Sequence, residues 1–415
     1  MSILFYNLFL QVYVLAARLL ALRNPKAAAW VAGRKRVLTE LHSWKQHNQK
    51  PLIWVHAASL GEFEQGKPII EALRLQYPNY AILISFFSPS GLEPSKQYPH
   101  ADHICYLPMD GKKNAKAFIE TANPKLAIFI KYEFWYYYLT TLQEKQIPTL
   151  LIAAIFRKDQ PFFKWYGQLH RKILKTYSAI FVQNENSLAL LRECGYTGEA
   201  MISGDSRFDR VATIARQFSS NKVVDSFIQG RTTLVAGSTW PKDHVLLQEM
   251  MHAFPDLCFI IAPHHVDASS IEAACKQIPE AITYTNAEKG QSGRILLIDR
   301  IGLLTKLYHY ADITWIGGGF DKEGVHNVLE AAVYHKPVLL GPIYHKYAEV
   351  IELIEAGGAI VMHNKSDAQQ NLAKLISDSI HRKSIGEKAG NYVAAKQGAT
   401  EKTIEWIQLN RLLTN

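Results

Sequence analysis

Cysteine is scarce in this chain. Four residues (Cys105, Cys194, Cys258 and Cys275) are scattered over 415 positions without a C-x-x-C pair. That pattern argues against a disulfide framework or a zinc site, and it suits a reducing compartment. Repeats at solenoid periods and low-complexity tracts are also missing, which excludes a repeat array or a disordered tail. Acidic residues are absent from the start: the first is Glu40, and Arg18, Arg23, Lys26, Arg34, Lys35 and Arg36 precede it. A second stretch, residues 157–175, sets Arg157, Lys158, Lys164, Arg171, Lys172 and Lys175 against the single acid Asp159. The net charge is +9, and basic surface of this kind attracts nucleic acid, anionic lipid or a phosphorylated substrate.

Residues 3–22, "ILFYNLFLQVYVLAARLLAL", narrow that choice. The run is almost wholly apolar, ends in basic residues, and at about 1.5 Å per helical residue it just reaches across a bilayer. It lacks the charged start and small-residue cleavage site of a signal peptide. A buried first helix of a soluble domain is one reading. The flanking aromatic and basic residues favour a membrane anchor or interfacial helix over residues 1–25, with its basic end cytoplasmic. Apolar, aromatic and basic together point to an anionic lipid surface and a phospholipid-like substrate, not to nucleic acid.

Hydrophobic residues make up 48% of the chain and charged residues 20%, so it folds, and its length calls for two domains. Short apolar runs alternate with helical patterns: "PLIWVHA", "YAILISF", "HICYLP", "KLAIFIK", "TLLIAA" and "SAIFVQ" in the first half, then "TTLVAGS", "CFIIAP", "RILLID", "DITWIG", "KPVLLG" and "GAIVM". Continuous Ile/Leu/Val runs suit parallel strands buried on both faces, so each half is predicted to be a doubly wound, Rossmann-like α/β unit. The polar stretch before residue 220 sets the boundary there, giving domains 26–220 and 221–415, and the helical tail is expected to pack back on the first.

The chemistry-bearing residues gather at predicted strand ends. In "WVHAASLGE", Ser59-Leu60-Gly61-Glu62 has the form of a helix capping box, yet Glu62 also sits where an α/β enzyme holds a catalytic group. "KYEFWYY" places Glu133 and Trp135 after a strand, as a sugar or acceptor contact or as a helix-start carboxylate. "GDSRFDR" offers Asp205, Arg207 and Asp209 near the linker. In the second half, Gly317-Gly318-Gly319 and the helix start at Asn327 and Glu330 suggest a phosphate cradle with a carboxylate for ribose hydroxyls. The spacing is that of neither a dinucleotide fingerprint nor a P-loop, and Asn-x-x-Glu equally fits a cap. Ser238 and Thr239 follow one strand, and His264 and His265 follow another, as phosphate contacts or plain loop residues. The histidines lack a third metal ligand at recognisable spacing.

Taken in order, these stretches resemble the Kdo transferases, which move 3-deoxy-D-manno-octulosonic acid (Kdo) from CMP-Kdo onto the lipid A precursor. "WVHAASLGE" is similar to the family's strand-turn motif and carries its catalytic glutamate onto Glu62. "KYEFWYY" is similar to its Glu-x-Trp-Pro-Asn motif, with Glu133 and Trp135 in register. "GDSRFD" is similar to its Gly-Asn-x-Lys-Phe-Asp motif. "GGGFDKEGVHNVLEAAVYHKPVLLGP" is similar to its CMP-binding motif, which carries over Gly318, Asn327 and Glu330. The chain departs from the pattern with Tyr136-Tyr137 for Pro-Asn, His264 for an arginine, and Gly319 for a frequent serine.

The resemblance implies a GT-B enzyme of two Rossmann-like domains facing a cleft, at the cytoplasmic face of the inner membrane. It implies inverting transfer with Glu62 as general base and no metal or other cofactor. The donor would be held by Ser238, Thr239, His264, His265, Gly317–Gly319, Asn327 and Glu330, and the acceptor by Glu133, Trp135, Arg157, Lys158 and Lys164. A carboxylate three residues into a helix is expected to stay ionised at neutral pH. A UDP-sugar transferase, a nucleotide-sugar epimerase and a membrane-attached nucleotide-binding scaffold remain as alternatives.

Overall fold

The computed structural model describes residues 3–414; Met1 and Ser2, which begin the expected anchor, and Asn415, which ends the expected second domain, lie outside the described residues. The chain divides into two compact units, Met1–Arg210 with Gln397–Asn415, and Val211–Lys396.

The first unit carries seven strands: β1 (Leu52–Ala57), β2 (Ala81–Phe86), β3 (His103–Tyr106), β4 (Pro124–Ile130), β5 (Thr149–Ala154), β6 (Ala179–Val182) and β7 (Glu199–Ile202). They lie in the order β3-β2-β1-β4-β5-β6-β7, with every pair parallel. The second unit has β8 (Thr233–Thr239), β9 (Cys258–Pro263), β10 (Ile282–Thr283), β11 (Ile295–Leu297), β12 (Ile313–Ile316), β13 (Val338–Leu340) and β14 (Ala359–Val361). Their order is β10-β11-β9-β8-β12-β13-β14, again all parallel. The expected pair of Rossmann-like, GT-B-type units is borne out. All twelve apolar runs are strands. The two strands without such a run are β7, a partly exposed edge strand, and the two-residue β10.

In each sheet the chain winds first one way and then the other from its first strand. The reversal opens a crevice at the carboxyl ends of β1 and β4 in one unit and of β8 and β12 in the other. Two residues there hold the left-handed backbone that side chains rarely adopt: Lys131 just after β4 (φ 72°) and Ser238 near the end of β8 (φ 52°). Ser238 marks a slip in register against β9 between Gly237 and Thr239, which turns the chain off the sheet.

Three helices precede β1: α1 (Ile3–Leu20), α2 (Pro25–Gly33) and α3 (Val37–His47). By length and composition α1 could cross a membrane, yet one stripe of it is docked on the first unit. Tyr6 and Leu10 are buried. The Tyr6 hydroxyl donates to Asp110 Oδ2 (2.5 Å), Tyr137 donates to Asn7 Oδ1 (2.8 Å), and Tyr13 meets the Trp30 ring edge-on at 5.6 Å. The remaining apolar face, including Leu4, Leu8, Leu15 and Leu19, is exposed.

The tail returns as the helix Ala399–Leu409 and belongs to the first unit. Asp209 caps it by accepting from the backbone N–H of Gly398 and Thr400, both at 2.7 Å, and from the Thr400 hydroxyl. Trp406 Nε1 donates to Glu199 Oε1 (2.6 Å), tying the helix to the edge strand β7. Hydrogen bonds to a carboxylate are the stronger kind, so Asp209→Ala is expected to cost about 2 kcal/mol, and more than Asp209→Asn. Urea unfolding of the two variants checks this; equal midpoints for Ala and wild type would remove Asp209 as the anchor.

Candidate functional site

In the first unit the β1 and β4 crevice brings two carboxylates into one electrostatic neighbourhood. After β1 the chain turns through Ala58 and Ser59 into α4 (Leu60–Gln76), and Glu62 stands in its first turn. Its Oε2 accepts the Ser59 backbone N–H at 3.1 Å, so it turns back to cap its own helix. Burial raises the Glu62 carboxyl from its ordinary 4.5 to about 7, and the negative charge of Glu133 adds to this. The backbone N–H groups of Ala58 and Ser59 and the Lys131 ammonium pull the other way. This corrects the expectation of a carboxylate kept firmly ionised by its helix: desolvation and a like charge outweigh the helix end.

Glu133 is 3% exposed. Its carboxylate accepts from Trp135 Nε1, and the Tyr177 hydroxyl donates to its backbone carbonyl. His56, wholly buried on β1, puts Nε2 2.8 Å from Glu133 Oε2, close but off the line of a hydrogen bond. The other ring nitrogen lies 2.8 Å from Ser85 Oγ on β2, and Trp54 Nε1 donates to the same hydroxyl. Sequence reasoning missed His56; the signal was a titratable residue inside the apolar run "LIWVHA", which a buried strand tolerates only with partners. Trp135 packs on Phe87, with the rings tilted by 30° and centroids 4.9 Å apart. Tyr136 and Tyr137, where the family has Pro-Asn, meet Tyr6 of α1 at 6.1 and 6.3 Å, so the departure from the motif forms the seat of that helix. Arg157 and Lys158 are exposed, and Lys164 is half-buried beside the exposed Trp165. Arg157 lines a cavity of about 480 Å³ with Tyr6, Tyr132, Phe134 and Phe162.

In the second unit Thr239 is buried, its hydroxyl 2.8 Å from His244 Nε2. Trp240 follows, stacked on His264 (5.0 Å) and donating Nε1 to His326 Nε2 (2.8 Å). His264 stacks on His326 at 4.3 Å and meets His265 edge-on at 4.6 Å. Burial, reinforced by the two neighbouring histidines, lowers His326 to about 4; burial and then His265 lower His264. Without a ligand both rings are neutral at pH 7, so His264 does not carry the fixed charge of an arginine. Among the described residues no set of three His, Cys, Asp or Glu side chains converges to hold a metal ion.

The glycine loop differs from its expected form. Asp243 Oδ2 accepts from Gly318 N and Trp240 N, each at 2.9 Å, while its Oδ1 accepts from Trp315 Nε1. A Cβ on Gly317 would stand 2.4 Å from the Ser238 carbonyl, and one on Gly319 would stand 2.6 Å from Gly341 N. These glycines therefore let three backbone segments close on one another. Asn327 donates Nδ2 to Glu330 Oε1 (3.0 Å) and accepts Leu329 N. The helix that begins two residues on, Leu329–Ala332, is a single turn and supplies little macrodipole. Asp243, which sequence reasoning missed, is the residue that organises the loop.

The profile of the family described as 3-deoxy-D-manno-octulosonic-acid transferase (kdotransferase) matches residues 34–210. The 3-deoxy-D-manno-octulosonic acid transferase of Rickettsia felis is 28% identical over 373 residues, covering 86% of this chain and 79% of that protein. The one from Aquifex aeolicus is 28% identical over 337 residues, covering 80% and 87%. The chain is a glycosyltransferase resembling the Kdo transferases. Among solved structures, the UDP-GlcNAc 2-epimerase of Neisseria meningitidis bound to UDP-GlcNAc superposes with a TM-score of 0.60 at 16% identity, over 86% of this chain and all of that one. That likeness is one of fold. The Kdo-transferase match spans both glutamates, Glu62 and Glu133, and the Trp135 that holds the second.

A glutamate whose folded pKa lies above its unfolded value binds its proton more tightly when folded. The cost of its ionised form is absent below about pH 4.5 and grows as pH rises through about 7. Glu62→Gln is therefore expected to raise Tm at pH 8 and to change it little at pH 5. Carboxyl-carbon NMR is expected to put the Glu62 midpoint near 7, and in Glu133→Gln that midpoint falls. An unchanged midpoint in Glu133→Gln would break the electrostatic link between the two.

Proposed function

We propose that the chain transfers Kdo from CMP-Kdo to the lipid A precursor at the cytoplasmic face of the inner membrane, with inversion and with Glu62 as general base. The observation that carries this reading is the pair of carboxylates, Glu62 and Glu133, at the β1 and β4 crevice, in a chain that resembles Kdo transferases over most of its length. As the acceptor hydroxyl attacks the anomeric carbon, its O–H bond breaks and the proton passes to a Glu62 oxygen. The new C–O bond forms on one face while the bond to the CMP phosphate breaks on the other, and CMP leaves with the electron pair.

A base works best with a pKa near the working pH, and about 7 meets that condition. Taking the proton also relieves the repulsion between Glu62 and Glu133, so the pair favours the step thermodynamically. Glu133, clasped by Trp135, is held in place beside Glu62 and acts as a positioning residue. The ionised side chain turns from its cap at Ser59 N–H to the acceptor hydroxyl when the acceptor binds, before the proton moves. A Cβ at Gly61 would meet nothing within 4 Å, so the approach over the first turn of α4 is open.

For the leaving group, the rings of His264 and His326 take a proton more readily once a phosphate lies beside them, which would strengthen donor binding below neutral pH. Arg157, Lys158 and Lys164 carry the positive charge for the acceptor phosphates. The exposed apolar face of α1 supports an interfacial placement where that lipid lies.

Removing a general base costs about 10²- to 10⁴-fold in rate. Glu62→Gln and Glu62→Ala are expected to lose transfer by that amount with CMP-Kdo and a tetra-acyl acceptor while retaining donor binding. Transfer near the wild-type rate in either folded variant would remove Glu62 from the role. CMP is expected to raise Tm more than UDP does; a preference for UDP would favour the UDP-sugar reading instead.

A further inference from the structure

Outside both crevices, α1, α2, α3 and the segment after β3 enclose a cavity of about 580 Å³, within the range of ligand pockets. Trp30, Leu38 and Met109 supply apolar walls; Arg18, Arg34 and Lys35 supply three cations. No carboxylate lines it. Among the described residues none of the three cations makes an ion pair.

Arg34 is the most constrained of them. Nε donates to Leu107 O and Nη1 to Trp30 O, each at 3.0 Å, and Nη2 donates to Phe87 O. Its guanidinium lies 4.0 Å over the Trp30 ring and 4.9 Å from those of Phe87 and Tyr106. These contacts use three of the five N–H donors of an arginine. Burial lowers its pKa to about 10, the mark of a cation desolvated without a counter-charge. A purely structural pin between α2 and the ends of β2 and β3 accounts for Arg34 alone. It leaves unexplained why Arg18 and Lys35 add like charge to the same cavity.

We propose that this cavity binds the phosphate head group of a bilayer phospholipid, whose acyl chains lie along the outer face of α1. The phosphate meets Arg18, Lys35 and the remaining N–H groups of Arg34, and the glycerol and first methylenes meet Trp30, Leu38 and Met109. Arg18, in the last turn of α1, stands beside the exposed Leu15 and Leu19, as a cation does when its stem lies in the acyl region and its head at the phosphate level. Free phosphate has no use for the apolar walls, and a diffuse basic surface does not require a desolvated Arg34. The inference rests on the reading of α1 as an interfacial helix, and it does not depend on the transfer chemistry.

The test uses the full chain in flotation with phosphatidylcholine vesicles, with and without phosphatidylglycerol, and titration with dihexanoyl-phosphatidylglycerol followed by NMR. Arg18→Ala with Lys35→Ala removes two charges at the cavity; Arg23→Ala with Lys26→Ala removes two from the same region away from it. Near-surface charges contribute alike to diffuse attraction, so the cavity pair is expected to weaken phosphatidylglycerol binding about tenfold more than the control pair. Dihexanoyl-phosphatidylglycerol is expected to saturate at one equivalent, with shifts around Trp30. Equal losses in the two pairs, saturation by inorganic phosphate alone, or saturation only by a phosphorylated disaccharide lipid would each overturn the site. Failure of wild type to float with either vesicle would overturn the interfacial helix itself, and leaves the Kdo-transfer reading to its own assay.

Discussion

A buried carboxylate has to be held by donors, and the way Glu133 is held sets much else in the first unit. Trp135 clasps its carboxylate, Tyr177 fixes its backbone, and His56 stands against it from β1. With that charge fixed, Glu62 across the crevice cannot be an ordinary surface glutamate. Its raised pKa follows from burial and from Glu133, and the capping bond to Ser59 N–H only partly offsets them. The raised pKa is thus made by its surroundings, and those come from five separate segments: the end of β1, the start of α4, the loop after β4, a serine on β2 and Tyr177 just before β6.

The same loop is braced from outside. Asp110 accepts from Tyr6 on α1 and from the backbone N–H groups of Tyr137 and Tyr138, two and three residues beyond Trp135. Tyr13 and Trp30 pack on Phe87, which packs in turn on Trp135. Apolar residues at the start of the chain thereby do two things: one stripe of α1 buttresses the carboxylate loop, and the opposite face stays apolar and exposed. In the second unit Asp243 has a comparable part, drawing Gly318, Trp240 and Trp315 together.

What could be read from the sequence was what periodicity and turn chemistry encode. Buried parallel strands are continuous apolar runs, so twelve of the strands were legible; β7 and β10 were not, because an edge strand and a two-residue strand need no such run. Glu62, Glu133 and the residues after β8 were legible as strand-end positions. The pKa of Glu62 was not, because the helix end is local in sequence while Glu133 is some seventy residues away in the chain. The glycine loop was legible as a strand-end turn, but not the close backbone packing at Gly317 and Gly319 or the single-turn length of the helix after Asn327. His56 and Asp243 escaped because their meaning lies in partners that only the fold brings near.

The central claim is that proton removal by Glu62, tuned by Glu133, drives transfer. Its most direct test is the pH dependence of kcat/KM for Kdo transfer by the wild-type enzyme, with the product identified by mass. The account predicts an acid limb with an apparent pKa near 7, as given by the Glu62 carboxyl. A rate that stays level down to about pH 5, the ordinary carboxylate range, would contradict it.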